Sequence, residues 1–498
     1  MSRVRVLLIA PVSAAVLLAG CTVGPDYHPK AAADLGVPDA YSVTPVTSPE
    51  DLTRWWQKFD DPVLGQLVEQ AAAANLDVAQ SVARLRQARE SLIQNRASLL
   101  PSVTGSAGYN RSENLVGGTR NVQLSDGSIT TVSSSGGNSF SLGLDAQYQL
   151  GLFGEVRRTV EASRAQYQSS GYDLATVLIS VESEVARNYV LARLYQQQLA
   201  NARASLAIQD DNLEIAGFRV QAGLVSSVDA EQARAQRAQT AATIPSLDQQ
   251  YAAAVARIGV LTAQAPGALR AMMAPVKAIP TGPAAVGVGI PADTLRQRPD
   301  IRSAERALAA ATAQIGVAKA ALYPAFSFTG NIQTNATSIG NIGDAITGGL
   351  FAGLTQAIFN GGRLRSQVRT SEAATDGALA LYKSTVLSAL EDVENAVVAL
   401  QTAQERERQF AIALDASNNS AILSRSQYRS GLTDFTTLNQ QETALLSARN
   451  GATQARADAA TALIALYAAL GGGWDSTVIP EAPTSSRAAR ASTNPEAR

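Results

Sequence analysis

Two stretches of the chain run for 67 residues each without a proline, Glu155–Gln221 and Arg363–Arg429. Proline inside a helix removes a hydrogen bond and clashes with the preceding turn, so its absence over such lengths permits unbroken helix. At 1.5 Å per residue each run would form a rod about 100 Å long, which compact domains rarely contain. Each run ends in a Gly-Leu pair, Gly223-Leu224 and Gly431-Leu432, 208 residues apart. Helical sequence resumes after each pair, from about Ser227 to Ala263, with a kink expected at Pro245, and from about Phe435 to Leu470. Upstream, Val78, Leu85, Leu92 and Leu99 recur every seven residues, and Ile301, Leu308, Ile315 and Leu322 do so again 223 positions later. Both sets read as coiled-coil seams. The two offsets differ by 15, the net shortening of the segment between seam and rod in the second half.

Strand patterns lie in that segment. Phe140–Leu150 alternates Phe, Leu, Leu, Ala, Tyr and Leu with Ser141, Gly143, Asp145, Gln147 and Gln149. Alternate side chains of a strand point to opposite faces, so this strand has one apolar and one polar face. Val103–Asn110 and Phe326–Gln333 share the pattern, and Leu350–Phe359 is a fourth, less regular candidate. The Gly/Ser/Asn-rich stretch Arg111–Asn138 reads as a long solvated loop.

The N-terminus is a targeting segment. Arg3 and Arg5 precede an apolar run from Val6 to Ala19 that is too short for a spanning helix. It ends in Leu18-Ala19-Gly20-Cys21, and Cys21 is the sole cysteine. The pattern resembles a lipobox, which implies cleavage before Cys21, S-diacylglycerol on its thiol and an N-acyl chain on its new amine. Thr22 in place of an acidic residue resembles the outer-membrane sorting state. Several acyl chains, at about 0.8 kcal/mol per buried CH₂, would hold this terminus in a leaflet.

With one Cys and one His, His28, the chain cannot build a Cys/His zinc site, a Cys–His pair or a Ser–His–Asp triad around any other histidine. No phosphate-binding loop is present, and Gly287 and Gly289 lack the third glycine and following helix of a dinucleotide site. Loss of Arg3 and Arg5 moves the net charge from −1 to −3, which predicts no nucleic-acid partner. No enzyme activity, metal or cofactor is expected beyond the lipid on Cys21.

Four strands cannot close a barrel alone, and an open sheet edge is excluded from lipid. Eleven residues tilted near 45° cover roughly 25 Å, the apolar band of an outer-membrane barrel. Several chains sharing one barrel would remove the edges, and the rods would continue it as a tube. The fold class is therefore mainly α with a membrane β-barrel, built from two tandem helix–strand–strand–helix–helix repeats. The expected division is a leader over 1–20, an extended segment over 21–61, a first repeat over 62–264 with strands near 102–112 and 138–150, and a linker over 265–293 containing five prolines. A second repeat follows over 294–470, with strands near 324–335 and 346–359, and then a tail over 471–498. Trp55 and Trp56 are expected to pack against the body, ahead of a helix start at Asp61-Pro62.

Essentially the whole mature chain resembles the outer-membrane factors, the TolC-like efflux and secretion channels, in their OprM/NodT-like lipoprotein branch. The resemblance is carried by LAGC and GPDYHP, WWQKFDDPVLGQL, YQLGLFGEVRR, RQRPDIRSAE, LYPAFSFTG and IFNGGRLR, and by the paired turns QAGLVSSVDAEQARAQ and YRSGLTDFTTLNQQE. It implies a homotrimer, a twelve-stranded barrel, a helical tunnel across the periplasm and an equatorial belt from the linker and both termini. It also implies docking with a periplasmic membrane-fusion adaptor and an inner-membrane efflux pump of the RND type.

The same resemblance implies a gate at the Gly-Leu turns. Asp229 matches a family aspartate of the first turn, and Tyr428 matches the tyrosine that donates a hydrogen bond to it. The adaptor-contact tips are Gly223, Leu224, Gly431 and Leu432. The chain departs from the family gate at Thr433, where an arginine is usual, at Thr437 and Gln440, where acidic lumen residues stand, and at Asn439. Asp434 is the acidic residue left to substitute. The function implied is a passive exit duct for drugs or other small molecules. The alternatives are a type I protein-secretion outlet and a structural coiled-coil envelope lipoprotein.

Overall fold

The computed structural model describes residues 22–43, 51–113, 115, 119–123, 125–133 and 137–477. Cys21 and the leader lie outside the described residues, as does the tail beyond 477. The chain is mainly helical. Helices α1 (Pro62–Ala74) and α2 (Leu76–Ala97) lead to strands β1 (Ser102–Ser112), β2 (Thr119–Gln123), β3 (Ile129–Ser133) and β4 (Gly137–Leu150). Then come α3 (Glu155–Gln221), α4 (Ser227–Leu261), α5 (Arg270–Met273), α6 (Pro291–Gln297) and α7 (Pro299–Ala320). Strands β5 (Ala325–Ala336) and β6 (Ile346–Thr355) and helices α8 (Arg363–Arg429) and α9 (Phe435–Ala469) complete the order. Both proline-free runs are single helices of 67 residues, and α4 and α9 have 35 each. Pro245 lies inside α4. Among the described residues no helix is long and apolar enough to cross a membrane.

The structure moves several boundaries. The helical span before Leu100 divides at Asn75, whose side chain accepts from the Asp77 and Val78 amides at 2.8 and 3.1 Å and so starts a new helix. Val78, Leu85 and Leu92 are buried, but Leu99 lies past the end of α2 and is exposed. Ile301, Leu308 and Ile315 are likewise buried, and Leu322, past the end of α7, is not. The seams therefore hold for three members each. The expected loop Arg111–Asn138 contains a hairpin, β2 paired antiparallel with β3. The fourth strand stops at Thr355, and Ile358 and Phe359 follow it fully exposed, outside any strand.

Two compact units divide the chain. The first comprises Ala88–Gln166 and Ala307–Ala378 with the described residues up to His28. Its sheet runs β1-β4-β5-β6, antiparallel throughout. The register lines up like with like. Leu144 pairs with Gly105 and Ile332, Tyr148 with Phe328, and Leu150 with Phe326, which pairs with Leu354. One position over, Asp145 pairs with Thr104 and Asn331, Gly143 with Ser106 and Gln333, and Gln147 with Ser102 and Thr329. One face is thus mainly apolar across all four strands, interrupted by Thr334 and, at the far end, by Arg111 and Asn138, and the other is polar save for Phe351. Val103, Leu142, Leu144, Ile332, Leu350 and Leu354 are exposed on the apolar face, and β1 and β6 are open edges.

The residues following Cys21 are pinned in this unit. The Val23 amide donates to the Phe153 carbonyl at 3.2 Å, and Thr22 sits against Gly154, where a Cβ would collide with it. The buried Arg158 guanidinium donates to the Val23 and Gly24 carbonyls, both at 3.4 Å, and pairs with Asp26 at 2.7 Å and Glu161 at 2.8 Å. Gly316 leaves the space this side chain occupies, since a Cβ there would meet it at 2.8 Å.

The second unit comprises Pro29–Gln87, Tyr167–Arg306 and Leu379 onward. Trp55 and Trp56 are buried, as expected. Trp55 stacks on Tyr467 at 5.5 Å and meets Phe59 edge-on. Asp61 caps α1 through the Val63 amide and accepts from Tyr189 Oη at 2.5 Å. Linker carbonyls find donors on α3: Arg193 Nη1 donates to Met273 and Pro275, and Gln196 Nε2 to Met273, Ala274 and Pro275. Buried carbonyls outside regular structure need such partners.

Candidate functional site

The two Gly-Leu turns have one backbone design. At the first, the Gly223 amide bonds the Val220 carbonyl at 3.0 Å and the Leu224 amide reaches Arg219 at 2.9 Å. At the second, Gly431 bonds Tyr428 at 3.0 Å and Leu432 reaches Gln427 at 2.8 Å. Both are Schellman closures, with Gly223 at φ +69° and Gly431 at φ +73°, where a Cβ would be strained. Leu224 and Leu432 are then thrust into solvent, 72% and 79% exposed. Each following helix is capped, α4 by Ser226 through the Val228 amide and α9 by Asp434 through the Thr437 amide at 2.7 Å. Those hydrogen bonds from Thr437 hold the Asp434 carboxyl below its ordinary pKa.

The remaining expected gate residues are not gathered into one cluster. Asp229 is half-buried in the first turn of α4, with its amide bonded to the Ser226 carbonyl, and Gln440 is exposed on α9. Tyr428 is 1% exposed, packed with Ala216, Ala233, Phe435 and Leu438. The expected hydrogen bond from Tyr428 to Asp229 is not formed within the chain. Among the described residues the Tyr428 hydroxyl is buried without any partner. Its ring is engaged instead: Phe435 meets it edge-on at 6.0 Å, and the Arg219 guanidinium lies over it, Cζ 4.5 Å from the centroid.

Two groups at this tip escaped the sequence reading. Arg219 sits in the last turn of α3, where a cation suits the helix dipole, and its position beside a turn was the only signal it gave. Arg425 and Glu442 form a two-pronged ion pair across the second turn, with Nη2 2.7 Å from Oε2 and Glu442 4% exposed. Opposite charges flanking a helix turn are the signal that could have found them. The Glu442 bonds raise the Arg425 pKa further. Among the described residues no group of His, Cys, Asp and Glu is placed to hold a metal ion. The site is a packed and hydrogen-bonded joint.

Comparison with known proteins agrees with this architecture. The family model for the outer membrane efflux protein matches residues 67–264 and 290–472. Nodulation protein T of Rhizobium leguminosarum bv. trifolii is 32% identical over 464 residues, covering 92% of this chain and 96% of that protein. The pyoverdine export outer membrane protein OpmQ of Pseudomonas aeruginosa is 30% identical, covering 86% and 88%. The solved structure of the outer-membrane channel OprN superposes with a TM-score of 0.81 at 33% identity, covering 91% of this chain and all of that one. The matched residues span both long helices and all four strands of the main sheet, and this chain belongs to the outer membrane efflux protein family.

Proposed function

We propose that three copies of this chain form the outer-membrane exit duct of a tripartite efflux system. The observation that carries the reading is the sheet. It has one apolar face across four strands, exposed, and two unpaired edges, β1 and β6. An edge bare in lipid leaves backbone groups unsatisfied at several kcal/mol each. Pairing β6 of one copy with β1 of the next satisfies them, and three copies give a twelve-stranded barrel. Asp145, Gln147, Asn331 and Gln333 then line its lumen. The long helices continue it as a periplasmic tube.

The stretches 62–264 and 294–470 are read as tandem repeats, with 265–293 as the equatorial linker and 471–498 as a tail. Residues 1–20 are the leader. Cys21 carries the N-acyl and S-diacylglycerol groups. The fixing of Thr22–Asp26 by Arg158 supports an anchor held close to the end of β4. The exposed Leu224 and Leu432 tips are the surfaces a periplasmic adaptor would grip, below which an inner-membrane RND-type pump supplies energy. The helix tips around Asp229, Tyr428, Asp434 and Gln440 form the gate. Relatives named for pyoverdine export and for toluene and antibiotic efflux favour small organic cargo over secreted protein.

Planar-bilayer recording on the purified, acylated protein tests the reading. Trimers should conduct ions, weakly at rest and strongly once the tips are loosened. Trimers that stay silent in both states would return the chain to the role of an envelope spacer.

A further inference from the structure

We infer that the two helical hairpins are latched at their tips by Arg219 stacking on the face of Tyr428, in place of a hydrogen bond from the tyrosine hydroxyl. This rests on the reading of the tips as the gate. Four observations carry it. The Arg219 Cζ lies 4.5 Å from the ring centroid, inside the range of a cation–π contact. The ring is almost wholly buried and Arg219 is half-buried, so water screens the contact only in part. The hydroxyl is buried without a partner among the described residues, so it contributes no bond to lose. Arg219 also reaches the second turn itself: its Nη2 lies 3.4 Å from where a Cβ on Gly431 would stand, an ordinary contact distance.

The latch joins hairpin to hairpin. Arg219 closes α3, and Tyr428 closes α8. At the matching positions 208 residues away stand Gln427 and Val220, which cannot build a second copy. The second hairpin is meanwhile braced within itself by Arg425–Glu442 and by the Tyr428–Phe435 contact. It therefore moves as one body, and separating it from α3 costs the Arg219–Tyr428 contact and the apolar packing of Ala216 against Phe435 and Leu438. Thr433 offers no guanidinium there, and the cation over the Tyr428 ring comes from the opposite turn.

The test is bilayer conductance of acylated trimers, paired with the sensitivity of expressing cells to a large antibiotic. Arg219→Gln should raise the open fraction about fivefold, the scale of one part-exposed cation–π contact. Arg219→Lys should fall between that and wild type. Tyr428→Leu should match Arg219→Gln, whereas Tyr428→Phe, which keeps the ring, should behave as wild type. A Tyr428→Phe channel as leaky as Arg219→Gln overturns the latch in favour of a hydroxyl bond. So does an Arg219→Gln channel that stays at wild-type conductance. If Tyr428→Leu yields no trimers, the Arg219→Gln and Tyr428→Phe pair decides alone. The double variant Phe435→Ala/Leu438→Ala separates the two levels. If it opens while Arg219→Gln does not, the latch fails and the gate stands. If neither changes conductance, the gate itself lies elsewhere.

Discussion

The helices α3 and α8 have equal length and start 208 residues apart, yet they are buried in different ways. Helix α3 buries Arg158, Glu182, Arg193, Gln196 and Gln209 among its polar residues. Helix α8 buries only Ser424 of its own, among the described residues, and otherwise an apolar stripe of Val386, Ala389, Val393, Val397 and Leu400. The positions correspond one to one. Glu182 faces Leu390, Tyr189 faces Val397 and Arg193 faces Gln401 in the alignment of the two. The difference follows from what each helix must hold. Irregular segments lie on α3 and present carbonyls that need donors: the residues after Cys21 meet Arg158, and the linker meets Arg193 and Gln196. The Arg193 guanidinium also lies over the Tyr189 ring, its Cζ 4.9 Å from the centroid. Helix α8 carries fewer such guests and leaves Leu381, Leu387, Ile412, Ile422 and Leu423 exposed. Two helices of equal length thus differ in what they hold: α3 carries irregular segments and α8 leaves apolar side chains exposed.

Glu182 is the sharpest break in the comparison. It is buried, its Oε2 has no hydrogen-bond partner among the described residues, and a Cβ on Gly473 would overlap it. Burial raises its pKa from 4.5 to about 9, so the folded chain holds it protonated at neutral pH. The unfolded chain binds that proton only below about 4.5, so the contribution is fully present there and is lost as pH rises toward about 9. One linked proton gives a slope of at most about 1.4 kcal/mol per pH unit, and on the order of 3 kcal/mol separates pH 5 from pH 8. Glu182→Gln should flatten the fall in thermal midpoint over that range while leaving the midpoint near pH 5 unchanged. An equal slope in wild type and variant would show that Glu182 does not carry the linkage.

Residue patterns conveyed the fold almost in full because it is built from long periodic elements. A proline-free run with a Gly-Leu stop fixes a helix to the residue, as Gln221 and Arg429 show. Alternation likewise placed β4, since a slip of one residue would turn Leu142 and Leu144 to the polar side. The hairpin β2–β3 was missed because Thr119–Gln123 and Ile129–Ser133 are five-residue strands in Gly/Ser-rich surroundings. Leu99 and Leu322 kept the seven-residue beat after their helices had ended, so periodicity alone overran the boundary. At the tips, sequence located Tyr428 but not its partner. The tyrosine could serve through its hydroxyl or its face, and only packing distinguishes the two. Arg219 and Glu442 bear charges that look like ordinary solvated residues until the turn folds them back.

The tips extend the comparison at smaller magnitude. Arg425 stands where α3 has Gly217, and Glu442 where α4 has Arg234, so the buried pair braces only the second hairpin. Glu442→Ala would leave the Arg425 cation facing a low-dielectric pocket. Arg425 retains some exposure, so a cost of about 2 kcal/mol is expected, below the range for fully buried pairs. Hydrogen exchange across 421–445 should accelerate, with exchange across 213–233 changing less. Arg425→Met/Glu442→Leu should restore most of the protection. Unchanged exchange in Glu442→Ala would mean the two hairpins are equally stiff and the asymmetry is only chemical.

The first hairpin has its own ion pair, Arg237 with Asp210, at positions where the second has Leu445 and Asn418. Both partners are nearly half exposed, 42% and 48%, so water screens them and two side chains lose freedom in forming the pair. Asp210→Ala should cost about 0.5 kcal/mol, and half-molar salt should erase even that difference from wild type. The expected ratio between Glu442→Ala and Asp210→Ala is therefore about fourfold in free energy, measured on the purified protein in one detergent at one ionic strength. A cost for Asp210→Ala as large as that for Glu442→Ala would place a brace on both hairpins. The link across the tips would then join two rigid arms of equal stiffness, and neither hairpin would be the one predisposed to move.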